Sequence, residues 1–156
     1  MIFVKYIPVQ LEKHEAVLTA FRRQALEESF GRSSHFQPET YLEWLAQKKR
    51  HFPEGFVLVQ ENDVFIGQLE LAVSVYEQNM IGYVHLLYVI PEKRGTGTGR
   101  DMLQYAERLF LSHGLREYHL RVSLTNEAAR GFYLHTGMEE IGVEENGTVM
   151  RMRKYL

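Results

Sequence analysis

The chain contains no cysteine. Disulfides, thiolate metal sites and cysteine nucleophiles are therefore excluded, and an intracellular setting is favoured. Residues Met1–Gln10 lack both a basic region and a signal-like apolar stretch, since Lys5 and Pro8 interrupt the short apolar run. A mature, cytoplasmic protein is expected. Basic excess is missing as well. A formal net charge of -2 argues against a general nucleic-acid binder, whose phosphate contacts require a basic surface. The seven histidines, at 14, 35, 51, 85, 113, 119 and 135, show no paired ligand spacing, so no metal is expected. No internal repeat or linker divides the sequence. What is present is 156 residues with 45% hydrophobic and 24% charged side chains, the balance of one soluble globular domain, spanning 1–156, rather than a membrane or disordered chain.

Periodicity orders the elements. Ile2–Ile7 reads as a strand and Leu11–Phe30 as a helix with Val17, Ala20, Phe21, Ala25 and Leu26 at helical spacing. A turn-rich stretch, Gly31–His35, precedes a second helix with Pro38 at its front, ending near Arg50. Phe56–Gln60 and Val64–Val75 form a predicted hairpin around Glu61-Asn-Asp63. In its second strand Gln68, Glu70, Ala72 and Ser74 share one face, while Leu69, Leu71, Val73 and Val75 share the other. Ile81–Ile90 is apolar on both faces apart from His85, the pattern of a central strand. A helix with Met102, Leu103, Ala106 and Phe110 on its inner face ends at Gly114. A strand, His119–Leu124, and a helix from Asn126 to His135 follow. Met138–Val143 and Thr148–Arg153 close the chain as a hairpin around an Asn-Gly turn. The order predicts an α/β fold, a mixed, mostly antiparallel sheet with helices on both faces.

Between the central strand and its helix lies Arg94-Gly-Thr-Gly-Thr-Gly99. Glycines there allow backbone N–H groups to converge, and the helix N-terminus adds partial positive charge, so the turn suits a phosphate. A tight turn without a ligand is the plain alternative. A Walker A loop fails because Gly99 is followed by Arg100 and Asp101, and the dinucleotide fingerprint fails because Gly97 and Gly99 lead to Met102.

Val89-Ile-Pro-Glu-Lys-Arg94-Gly-Thr-Gly97-Thr-Gly99 resembles the acyl-CoA loop of the GNAT superfamily. Asn126-Glu-Ala-Ala129-Arg-Gly-Phe132-Tyr133-Leu-His-Thr-Gly137-Met138 resembles that family's second motif, with Met in place of the last aromatic. The likeness covers roughly Gly67 to the C-terminus. It implies an acetyl-CoA-dependent N-acetyltransferase, in which the acetyl group passes to a primary amine by direct attack. The runner-up reading is a non-catalytic acyl-CoA-binding sensor or scaffold.

Residue by residue, the resemblance implies that the backbone of Leu87 and Val89 pairs with the pantetheine arm. It also places the pyrophosphate among Arg94, Gly95, Gly97, Thr98, Gly99 and Arg100, with Thr98 replaceable. Asn126 matches a pantetheine contact, and it equally suits a helix cap. Tyr133 matches the tyrosine that protonates the departing thiolate; a packing role is its alternative. Val89 N–H is the implied donor to the oxyanion. For the base, His85 falls where arylalkylamine acetyltransferases carry histidine, and its unperturbed pKa near 6.5 suits the task. Glu70 is the second choice if its face borders the cleft rather than solvent. Tyr83 stands where several protein acetyltransferases have glutamate. The acceptor is expected to meet residues 27–37 and the final hairpin, its identity left open among small-molecule and protein amines. Dimerisation is common in the family, and no sequence feature marks an interface.

Overall fold

Period-two alternation in residues 56–59 decides where the layers lie. In the computed structural model, which describes residues 3–156, Val57 and Val59 enter one core and Phe56 and Leu58 the other. Both faces of this strand are therefore covered. Strands β1 (Val4–Pro8), β2 (Phe56–Glu61), β3 (Val64–Tyr76), β4 (Asn79–Val89), β5 (Glu117–Ser123), β6 (Glu139–Glu144) and β7 (Val149–Tyr155) form one sheet. Its order is β1-β2-β3-β4-β5-β7-β6, antiparallel except where β4 meets β5. Helices α1 (Leu11–Phe30) and α2 (Pro38–His51) cover one face, and α3 (Thr98–Ser112) and α4 (Glu127–His135) the other. The predicted α/β class and the mostly antiparallel sheet are observed.

The predicted elements recur with shifts of one or two residues at most ends. The first strand is described from Val4 to Pro8; Ile2, where the expected strand began, lies outside the described residues. On α1 the buried stripe is rotated from the expected one: His14 and Leu18 are buried and Ala20 is exposed. The cause is local. His14 Nδ1 accepts the backbone N–H of Gln10 at 3.0 Å, satisfying a donor at the start of the helix, while its ring meets Phe65 edge-on.

Two expectations for β3 fail. Its polar face is not solvated, because Gln68 and Glu70 are fully buried beneath α1 and α2. Val75, expected on the packed face, is 64% exposed, since β3 and β4 run past the last residue that β2 pairs, Glu70.

On α3 the expected face, Met102, Leu103, Ala106 and Phe110, is buried. Phe110 packs directly on Gly82 of β4, where an added Cβ would lie 2.6 Å from the ring. A neighbour must shift to admit even a methyl group, and overpacking of this kind costs about 1–3 kcal/mol. Gly82→Ala is therefore expected to lower the urea midpoint by a corresponding amount at unchanged slope, as read from equilibrium unfolding.

Candidate active site

Strands β4 and β5 pair only from Gly82–Tyr118 to Val84–Leu120. Beyond Val84 they part. Ile90 N–H donates to Ile66 C=O at 2.9 Å, which makes Gly67 and Val89 a non-hydrogen-bonded pair. By alternation, the backbone groups of Tyr88 point toward β3, and those of Leu87 and Val89 point away from it into the gap. One of them is occupied: the Val89 carbonyl accepts Arg94 Nε at 2.9 Å. The expected edge of free backbone at Leu87 and Val89 thus faces the opening.

At its upper end the opening meets the glycine turn. Gly95 (φ 74°) and Gly97 (φ 93°) hold left-handed conformations that disfavour other residues. Gly97 is the cap of α3 and supplies no side chain to its first turn. The N–H groups of Thr98, Gly99 and Arg100 therefore lie at an open helix terminus with its positive dipole end. Gly99 is close-packed rather than left-handed: an added Cβ would lie 3.3 Å from the Phe132 ring, which would have to give by a few tenths of an ångström. Thr98 only exchanges a hydrogen bond with Thr96 at 3.1 Å. Arg100 is exposed and lines a small hollow beside Glu107 and Lys154. The Arg94 guanidinium pairs with Glu28 of α1, 2.8 Å in one of its bonds, and sits over Tyr88. On the other rim, Thr125 donates its hydroxyl to the carbonyl of Ser29 at 3.2 Å. The last turn of α1 thus bridges both rims of the opening.

Tyr133 is buried on α4 within the same core as Val89, Leu120 and Val122. Burial pushes its phenol pKa above the ordinary value, so the hydroxyl stays protonated at neutral pH. Among the described residues, no protein group hydrogen-bonds to that hydroxyl. Asn126 caps α4, its Oδ1 accepting Ala129 N–H at 3.2 Å.

His85 is the extra residue of a bulge, because Glu70 pairs with Leu86 and Leu71 with Val84. The bulge turns His85 toward α2, where its ring meets Trp44 at 5.0 Å and Tyr83 at 4.8 Å, both edge-on. Burial, reinforced by Lys48, Arg22 and Arg121, pushes its pKa down to about 4. The imidazole is neutral at physiological pH. Glu70 lies deeper. Its carboxylate accepts Arg22 at 3.0 Å, Tyr41 at 2.5 Å and Gln68 at 3.1 Å, and burial raises its pKa against those three opposing partners. Tyr41 and Arg22 separate it from solvent.

Above Tyr41 opens a groove of about 650 Å³ between the end of α1, residues 32–37, α2 and Thr148 of the last hairpin. The two segments expected to meet an acceptor are thus brought together. Arg22 and Trp44, which sequence reasoning missed, form its floor and wall, with the guanidinium 5.7 Å from the indole centroid. The spacing of Tyr41 and Trp44, three apart on one helix, was the available signal.

Comparison with known proteins adds a lineage to this geometry. An uncharacterised N-acetyltransferase of Archaeoglobus fulgidus is 28% identical over 98 residues, 61% of this chain and 65% of that protein. N-alpha-acetyltransferase 30 of Schizosaccharomyces pombe is 30% identical over 87 residues, 55% of this chain and 58% of that protein. The chain thus spans under two thirds of the length of either relative. Arabidopsis thaliana Naa50, solved with the bisubstrate analogue CoA-Ac-MVNAL, superposes with a TM-score of 0.73 at 21% identity, covering 97% of each chain; that likeness concerns the fold. The model of the acetyltransferase (GNAT) family matches residues 17–138, which takes in the parted strands, the glycine turn and Tyr133, and the chain belongs to that family.

Proposed function

We propose that the chain is an acetyl-CoA-dependent N-acetyltransferase acting on a primary amine by direct attack. One observation carries the reading: the backbone groups of Leu87 and the N–H of Val89 point into the gap beside an uncapped helix terminus, with the Tyr133 phenol in the core behind them. An extended amide-bearing arm ending in phosphates fits such an edge, adding to it as a strand does while its phosphates meet the turn. Coenzyme A has that shape, and the complexes of relatives with it support the choice.

Acetyl-CoA supplies an acetyl group activated as a thioester, so that a nitrogen–carbon bond forms as the carbon–sulfur bond breaks. The chain supplies the rest. Val89 N–H, directed into the opening, is placed to stabilise negative charge on the carbonyl oxygen. The Tyr133 hydroxyl, protonated and without a protein partner, is available to give its proton to the departing sulfur. His85 sits close to the groove's indole wall, but its pKa of about 4, unlike the 6.5 of a free imidazole, leaves it a weak base; its role is to pass the amine's proton on through water rather than to keep it. Glu70 is a positioning residue, fixing Arg22 and Tyr41 under the groove.

Thiol release from acetyl-CoA across a panel of amines tests the activity; binding of coenzyme A without turnover on any amine returns the chain to a sensor or scaffold. Tyr133→Phe is expected to lower kcat by about 10-fold or more while leaving the Kd for coenzyme A unchanged, because general acids contribute in the transition state. Full kcat in that variant assigns Tyr133 to packing. Gly97→Val forces a branched residue into a left-handed conformation and is expected to weaken coenzyme A binding by about 10-fold or more in calorimetry, since the turn must rearrange.

For His85 the sign follows from its depressed pKa. Between about 4 in the folded chain and about 6.5 unfolded, the unfolded state binds more protons, so stability falls as pH drops through that window. His85→Gln is expected to flatten that loss in unfolding curves taken from pH 7 to 4. Any acidic limb that His85 contributes to kcat/KM lies near pH 4 and not near neutrality; a limb near neutrality surviving in the variant belongs to another group.

A further inference from the structure

We infer, on the acetyltransferase reading above, that the acceptor is a primary amine with a bulky apolar group beside the nitrogen and no second cation.

The walls of the groove set the first half of this statement. Leu26, Phe30, Phe36, Tyr41 and Trp44 supply its surface, and Phe30 stands 49% exposed there. A ligand that covers such side chains gains by removing apolar area from water. Trp44 fixes where the apolar group must sit on the ligand. One indole forms the groove wall and also meets the His85 ring edge-on at 5.0 Å. A nitrogen presented to that imidazole therefore carries its apolar substituent immediately alongside, within the reach of a single side chain.

Charge sets the second half. No aspartate or glutamate lies among the residues lining the groove, whereas Arg22 and Arg32 do. Arg22 is neutralised by Glu70 beneath it at 3.0 Å. Arg32 is exposed and has no ion-pair partner among the described residues. The lining thus carries one unpaired guanidinium and no acid of its own, the Glu27 carboxylate standing outside it on the lining Ser33 at 2.7 Å; an additional ammonium that enters the groove meets a cation in the lining and no lining carboxylate. Polyamines and aminoglycosides are disfavoured on this ground. A carboxylate or a neutral amide beyond the apolar group is accepted, and two sources present that chemistry: small arylalkyl or amino-acid amines, and a peptide N-terminus that begins with a large apolar residue.

The test measures kcat/KM by thiol release from acetyl-CoA with the full chain. The acceptors are 2-phenylethylamine, leucine amide, peptides led by leucine or by glycine, spermidine and kanamycin. Acceptors with the apolar group are expected to exceed spermidine, kanamycin and the glycine-led peptide by about 10-fold or more, the discrimination an apolar pocket provides. The ratio of leucine-led peptide to leucine amide separates the two sources. Trp44→Ala is expected to remove most of that preference with the Kd for coenzyme A unchanged. Arg32→Glu, at an exposed position where folding is not at risk, is expected to raise spermidine relative to the apolar amines. Preferential use of spermidine or kanamycin by the wild-type chain overturns the inference and leaves the acetyltransferase reading standing. A preference unchanged in both variants overturns the inference as well. Absence of thiol release with every amine removes the parent reading and this inference with it.

Discussion

Backbone N–H and C=O groups in the middle of a sheet are costly to leave unpaired, at about 1–3 kcal/mol for each buried group. Parting β4 from β5 after three residue pairs is therefore the constraint around which the molecule is arranged. The exposed edge has to be met by something else: Arg94 reaches back to the Val89 carbonyl, and α3 and α4 close one face over it. The glycine turn lies beyond the end of the same strand, on the connection from β4 through a short 3-10 turn at Pro91–Lys93 to α3. The bulge at His85 adds a second consequence, setting His85 and Leu86 on one face, so that the imidazole is turned to α2 while Leu87 and Val89 keep their backbone toward the gap. Cofactor edge and acceptor wall thus diverge from one strand.

On the other face a polar layer is buried where sheets ordinarily carry aliphatic residues. Glu70, Gln68, Tyr41 and Arg22 satisfy one another, with Gln68 Oε1 the buried side-chain atom that has no protein partner among the described residues. Such a layer contributes little net stability, since desolvation opposes the attraction, but removing Arg22 leaves the buried Glu70 without its opposite charge, a change that costs several kcal/mol, about 3–5. Its structural effect is to hold a guanidinium and a phenol flat beneath the groove, over which Trp44 closes. The floor of the groove is therefore set by electrostatics and its wall by packing.

Much of this was readable along the chain. Elements with sustained periodicity, α1, α2, α3 and the β2–β3 hairpin, span the residues their patterns mark, because each carries its own start or stop signal, although which faces they bury was less legible. The glycine turn and the Asn126 cap are local devices and were equally legible. What sequence spacing could not carry was anything decided by the third dimension. Gln68 and Glu70 look solvated in a period-two reading, and only the approach of Tyr41 and Arg22 from distant helices buries them. The bulge is invisible to alternation, which expects His85 and Leu86 on opposite faces. The approach of the Phe132 ring to Gly99, from a helix more than thirty residues away, is also invisible along the chain. Arg94 likewise required knowledge of where α1 ends.

That end of α1 ties together parts of the chain far apart in sequence. Glu28 and Ser29 are consecutive, yet the first holds the rim that follows β4 and the second the rim that follows β5. Leu26 and Phe30, in the same turn, wall the groove. A single helical turn is a strut of fixed span, so the width of the cleft is set by the geometry of a helix rather than by the sheet that opens beneath it. Fraying of that turn would slacken both rims and the groove wall in one motion, which makes three separate surfaces a single mechanical unit.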